Sequence, residues 1–232
     1  MTSAFSDTGT GLVLTDRLAH VRWIAGGTGA GKSTLTRSPA DRYDVAVHQG
    51  DRAEHDWLER CTAQRHPRLA GMRGPPPGAL WRDRTPDQVF RALPSLYGEM
   101  VGFVVDDLLA LSGERVLLVD YFGIPPGHLA PLLRRPDQAV FLLPTPEFRE
   151  TALASRYADP ARARAAWGSE DGASAFAGRL ARDALRDEEV RRQAPLHGLD
   201  TIVIDGTVPV SDLADRMAVR FGPGGGQRAS LG

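Results

Sequence analysis

The chain has 232 residues, 42% hydrophobic and 25% charged, with 28 basic against 29 acidic side chains and a formal charge of -1. That balance suits one α/β domain of ordinary size and excludes a disordered chain, a collagen-like fibre and a disulfide scaffold. It offers no bulk attraction for a nucleic-acid backbone, Cys61 has no cysteine to pair with, and no apolar run approaches the roughly 20 residues of a membrane span.

In chain order, the first dozen residues read as poorly ordered. His20–Ala25 is a β-prone stretch that ends at glycine. Next comes Gly26-Gly27-Thr28-Gly29-Ala30-Gly31-Lys32-Ser33, which matches G-x-x-x-x-G-K-[ST], the phosphate-binding loop. Its glycines let several backbone N–H groups turn inward towards phosphate oxygens. Ser33-Thr34-Leu35-Thr36-Arg37 can open a helix, whose N-terminus is electropositive. Gly27, Thr28, Gly29, Ala30, Gly31, Lys32, Ser33 and Thr34 are thus the expected phosphate contacts. Of the 28 basic residues 27 are arginine, so Lys32, the single lysine, is a candidate for a role arginine cannot fill. A compact ammonium on a flexible stem reaches the β and γ phosphates better than a planar guanidinium. Ser33 supplies a hydroxyl to Mg²⁺. Pro39 is expected to shorten or kink this first helix.

Tyr43–His48 is the second strand and Asp51 follows it. Ligands of doubly wound sheets sit outside the carboxyl ends of strands, which puts Asp51 beside the γ-phosphate position. The alternative is an ordinary turn aspartate. Arg52, His55 and Trp57 are close enough to line an acceptor pocket, and a solvated surface role suits His55 equally. The long interval from residue 52 to 113 holds a Gly74-Pro75-Pro76-Pro77-Gly78 knot and a helical stretch over 87–111, with Gly113 as its cap. Glu114–Asp120 is the third strand and Gln138–Leu143 the fourth. Helices are expected over 146–157, 173–193 and 210–220, with a fifth strand at Thr201–Asp205. Near-continuous apolar strands point to a parallel sheet covered on both faces. The tail from residue 222 to 232 reads as flexible.

The motif and this alternation of strands and helices resemble the P-loop kinases of nucleotides and small molecules, the group of adenylate kinase, shikimate kinase and chloramphenicol phosphotransferase. Val119-Asp120-Tyr121-Phe122-Gly123 and Leu142-Leu143-Pro144-Thr145-Pro146-Glu147-Phe148-Arg149 are similar to actinobacterial P-loop proteins labelled as ATPases. The resemblance implies a P-loop NTPase three-layer sandwich with a five-stranded parallel sheet in order 2-3-1-4-5. It makes 52–113 a helical acceptor-binding insertion and 146–195 an Arg-rich lid, within a single domain. It also assigns roles. Asp51 accepts or orients the acceptor hydroxyl, and Asp120, as in a Walker B motif, manages Mg²⁺ with Ser33. Arg149 and Arg156, ahead of Arg162 and Arg164, clamp phosphate. Gly206, Thr207 and Pro209 touch adenine through their backbone. The chain departs from NTP-hydrolysing motors in having Tyr121 where they carry a second carboxylate.

These readings lead to an expected function, an ATP- and Mg²⁺-dependent phosphotransferase acting on a hydroxyl of a nucleoside, sugar, or antibiotic or natural-product intermediate. The alternative is an ATP-binding regulatory or interaction module without a dedicated acceptor. With its only lysine in the loop, the chain has no guanine-reading [NT]-K-x-D, and no paired C-x-x-C or H-E-x-x-H supports zinc. The expected setting is cytoplasmic, as a monomer or homodimer, with no nucleic-acid or membrane partner.

Overall fold

The computed structural model describes residues 14–42, 45–75, 78–79, 84–111, 115–167 and 172–221. Five strands, β1 (Val21–Gly26), β2 (Ala46–Gln49), β3 (Leu117–Asp120), β4 (Ala139–Pro144) and β5 (Asp200–Ile204), form one sheet. Every neighbouring pair is parallel and the order is β2-β3-β1-β4-β5. Parallel neighbours require crossovers, and those supply the helices on both faces.

Side chains alternate across a strand, so each strand feeds two cores. Trp23, Leu117, Val119, Phe141 and Leu143 point to one face, where they meet Trp57, Phe103, Leu129 and Val190. Ile24, Leu118, Val140 and Leu142 point to the other, where they meet Leu35, Leu213, Met217 and Phe221. Each fully buried aliphatic of this kind contributes about 1.5–3 kcal/mol. The first face is covered by α2 (Gly50–Arg60), α5 (Val101–Ala110), α6 (Pro126–Leu129) and α9 (Gly172–Gln193). The second is covered by α1 (Lys32–Arg42) and α10 (Val210–Phe221). Between them in sequence come α3 (Pro67–Ala70), α4 (Pro86–Arg91), α7 (Pro146–Arg156) and α8 (Pro160–Trp167).

Local chemistry fixes several boundaries. Thr145 caps α7 by accepting from the Phe148 N–H at 3.2 Å, with Pro146 at the first helical position and Glu147 in the first turn. Such a cap contributes about 1 kcal/mol, and here it anchors the helix that carries Arg149 and Arg156. Thr85 and Gln88 form a reciprocal capping box at the start of α4.

Three expectations need correction. The helix expected over 87–111 is three pieces: α4, a 3-10 turn at Pro94–Tyr97, and α5. Pro94 has no N–H to continue α4, and Gly98 is left-handed at φ +68°, which turns the chain before α5. Pro39 does not shorten helix α1, which runs past it to Arg42. The second strand is shorter than expected, beginning at Ala46. Gly113, Pro76, Pro77 and the tail from residue 222 lie outside the described residues. Among the described residues, no helix is long and apolar enough to cross a membrane.

Candidate functional site

The turn from β1 into α1 is built around backbone that other residues cannot adopt. Gly26 has φ +110°, and a Cβ there would lie 2.2 Å from the Leu142 carbonyl oxygen of the neighbouring strand. Gly27 then donates its N–H to that same Leu142 oxygen at 2.7 Å. Gly31, at φ +80°, is left-handed and delivers the chain into α1, its carbonyl accepting from the Thr34 and Leu35 N–H groups at 3.0 Å each. The start of α1 therefore points at the space above the loop, with the positive end of its dipole.

Lys32 folds back over this turn. Its Nζ donates to the Gly27 carbonyl at 2.7 Å and the Gly26 carbonyl at 3.3 Å, and the residue is only 7% exposed. Burial pulls its pKa down from 10.5 to about 8, against the opposing pull of Asp120 and Asp51.

A cavity of about 290 Å³ opens here. Its floor is Thr28, Gly29, Gly31, Lys32, Ser33 and Thr34. It is also lined by Asp51 from α2, Phe122 after β3, and Arg156, Ala166, Arg179 and Arg182 from α7, α8 and α9. Of the expected phosphate contacts, Gly27 and Ala30 are buried beneath the loop and do not line it. Gly206, Thr207 and Pro209 lie beyond β5 and are exposed, with the Asp205 carboxylate accepting from the Thr207 N–H at 2.9 Å and its hydroxyl at 2.7 Å. They do not line the cavity either.

Asp51 sits in the first turn of α2, a position the helix dipole favours for a carboxylate. It is exposed and lines the cavity. Enclosure by protein raises its pKa, while Lys32 and then Arg186, with the Phe122 backbone N–H, pull it down and Asp120 adds to the rise. Asp120 ends β3, in register with Ile24 of β1 and Gln49 of β2, and is buried. Its Oδ1 has no hydrogen-bond partner among the described residues. A buried carboxylate oxygen in that state is costly unless something else binds it.

Tyr121 follows Asp120, and the fold makes room for it. A Cβ on Gly50 would lie 2.3 Å from its ring and one on Gly123 2.1 Å from its hydroxyl. Trp57 meets the ring edge-on at 5.4 Å. Tyr121 donates to Glu54 at 2.9 Å, one turn along α2 from Asp51. Burial lifts the Glu54 carboxyl from 4.5 to about 7, overcoming the tyrosine hydrogen bond, and the Asp51 charge adds to the rise. A carboxyl raised in the folded state holds its proton more tightly there than in the unfolded chain. Stability contributed by Glu54 should therefore be complete below pH 4.5 and lost as pH rises to about 7. Across that window the urea midpoint of the wild type should fall relative to that of Glu54→Gln as pH rises. Parallel curves would rule this assignment out.

The arginines are distributed differently from expectation. Arg156 lines the cavity, but Arg149 does not. Arg149 is 2% exposed, ion-paired with Asp187 of α9, and donates to the Thr28 carbonyl at 3.4 Å, so it braces the loop from behind. Arg162 and Arg164 are exposed on α8. Trp57 belongs to the core rather than to a pocket, and His55 is a surface residue beside Glu59. Among the described residues, none of the 52–113 insertion lines the cavity.

Sequence reasoning missed Arg179 and Arg182, which do line it. Arg179 donates to the Tyr157 hydroxyl at 2.9 Å and lies 3.7 Å from Asp183, and Arg182 is bound to the same carboxylate. The available signal was the dipeptide Arg-Asp repeated at 182–183 and 186–187, preceded by Arg179. Four-residue spacing puts these groups on one face of a helix, and that face is buried. No protein-family model matches the chain, and no curated protein is significantly similar to it.

Proposed function

We propose that the protein is a P-loop phosphotransferase that uses Mg²⁺-ATP to phosphorylate a hydroxyl of a small molecule. The observation that carries this is a single cavity lined by Lys32 and Ser33 at a helix start, by Asp51 from the first turn of α2, and by three arginines. The loop and Lys32 would hold the β and γ phosphates, and Arg156, Arg179 and Arg182 would neutralise charge spread over the transferring group.

The residues present fit a nucleotide-bound magnesium ion. Ser33 faces the cavity, and the buried Asp120 Oδ1 is without a protein partner among the described residues. No cluster of three His, Cys, Asp or Glu side chains occurs among the described residues, which suits a cation that takes most of its ligands from phosphates and water. Such an ion would supply charge neutralisation on the phosphate oxygens.

Asp51 would accept a hydrogen bond from the acceptor hydroxyl. As that oxygen bonds to the γ-phosphorus, the bond from phosphorus to the β–γ bridging oxygen breaks, the hydroxyl proton passes to Asp51, and ADP leaves. Its raised pKa suits this work, because a base closer to the operating pH drives proton transfer better. Adenine is assigned to Gly206, Thr207 and Pro209 on resemblance.

The test is ADP release from Mg²⁺-ATP across a panel of nucleosides, sugars and hydroxylated antibiotics, with the product read by mass spectrometry. Acceptor-dependent release with gain of one phosphoryl group is expected. Thermal protection by Mg²⁺-ATP with no acceptor-dependent release would favour a nucleotide-binding module, and no protection would sink both readings.

A further inference from the structure

The phosphate loop is backed by a buried ion pair that lies outside the cavity. Arg149, near the start of α7, and Asp187, on α9, are each 2% exposed and bonded to one another. Both also meet the loop. Arg149 donates through Nε to the Thr28 carbonyl at 3.4 Å, and a Cβ on Gly29 would lie 3.8 Å from its Cγ. A Cβ on Gly27 would lie 2.8 Å from Asp187 Oδ1 and 2.6 Å from Pro144 Cδ. Only glycine lets the chain at 27 come this close to the pair. Thr28 and Gly29, held from behind in this way, line the cavity.

Such a pair is poorly explained as a source of stability. Desolvating two charges offsets most of their attraction, and burial pushes the Asp187 carboxyl upward against the pull of Arg149. What a guanidinium fork on a carboxylate does supply is one well-defined geometry. Here that geometry joins three elements. The loop is the first. Helix α7, fixed at its start by the Thr145 cap, carries Arg156, and α9 carries Arg179 and Arg182. All three of those arginines line the cavity.

We propose that Arg149 and Asp187 are positioning residues that lock the Gly27-Thr28-Gly29 backbone to α7 and α9, so that the loop and the arginines of those helices meet the same phosphate groups. The task given to the loop rests on the phosphotransferase reading above; the lock itself does not. Neither residue touches the nucleotide in this scheme, unlike the phosphate clamp that resemblance assigns to Arg149.

The test is a double variant, Arg149→Met with Asp187→Leu. It replaces the pair by apolar side chains, an exchange that is often neutral or stabilising for buried pairs. Amide hydrogen exchange is read at the Gly27 N–H, which is bonded to the Leu142 carbonyl, and Mg²⁺-ATP affinity from protection of the fold. In the double variant Gly27 should exchange at least about tenfold faster, with the amides of β3 and β4 unchanged, and Mg²⁺-ATP should bind at least about tenfold more weakly, as for loss of one charged hydrogen bond. Arg149→Lys should fall between, since an ammonium keeps the charge but not the fork. Unchanged Gly27 exchange would overturn the proposal, and so would faster exchange shared equally by β3 and β4, or faster exchange with unchanged Mg²⁺-ATP affinity. If wild type does not bind Mg²⁺-ATP, the phosphotransferase reading fails, and Gly27 exchange still decides the lock. Should the double variant not fold, wild-type crystals grown with Mg²⁺-AMP-PNP give the answer. Arg149 still on Asp187 and the Thr28 carbonyl supports the lock, and Arg149 turned onto a phosphate oxygen refutes it.

Discussion

Lys32→Ala should abolish Mg²⁺-ATP turnover and the thermal protection given by Mg²⁺-ATP, in a protein that remains folded. One charged hydrogen bond is worth about 1.5–3 kcal/mol, a factor of roughly 10 to 10² in affinity. The rate should fall further, because the ammonium acts on charge that develops during transfer. Folding should survive because burying Lys32 is a cost. With its pKa drawn down to about 8, the folded state holds the proton less tightly than the unfolded chain does. The penalty is full below pH 8 and is relieved as pH rises towards 10.5. Wild-type stability should thus gain from Lys32 between those values, and Lys32→Ala should lose that gain. This rise makes an internal control for the burial of the ammonium, independent of any ligand. Normal Mg²⁺-ATP turnover in folded Lys32→Ala would sink the phosphate-loop reading.

The parts legible in the sequence are those fixed by local rules. The central strands β3 and β4 were apolar runs, because a strand covered on both faces has no polar side to show. The turn at Gly26 to Ser33 was legible because its glycines and single lysine answer to backbone and charge constraints within eight residues. The strand order was available only through resemblance, since no local feature encodes which strand lies beside which. Arg149 was misplaced for a related reason. Nothing near residue 149 shows that Asp187 will meet it, 38 positions on. Arg179, Arg182 and Arg186 were hidden among 27 arginines, most of which belong on solvated faces. Their periodicity with Asp183 and Asp187 was visible, but charge periodicity alone reads as an exposed face. Glu54 was missed because its environment comes from Tyr121, which needs the glycines at 50 and 123 to fit beside it.

Asp51→Asn and Asp120→Asn should fail in different ways, and the difference separates base from metal. Asparagine preserves the shape of each side chain and removes its charge. On the proposed reading, the charge lost at position 51 is the proton acceptor for the hydroxyl. A general base contributes roughly 10²–10⁴-fold, so kcat should fall by that order with Mg²⁺-ATP affinity nearly unchanged. A small gain in affinity is compatible, since Asp51 also repels phosphate and restrains the Lys32 proton. At position 120 the lost charge is buried, with one oxygen left open towards whatever binds there. Asp120→Asn should weaken Mg²⁺ dependence and nucleotide affinity together, and the loss should be partly restored by raising Mg²⁺. It should also be the more stable of the two against the wild type, because an amide costs less to bury than a carboxylate. Before an acceptor is in hand, the nucleotide arm can be read from protection of the fold by Mg²⁺-ATP. With an acceptor, wild-type turnover by Asp51→Asn would overturn the base assignment and turn attention to Glu54, the other carboxyl on that face of α2. Loss of nucleotide binding by Asp51→Asn without loss by Asp120→Asn would reverse the two roles.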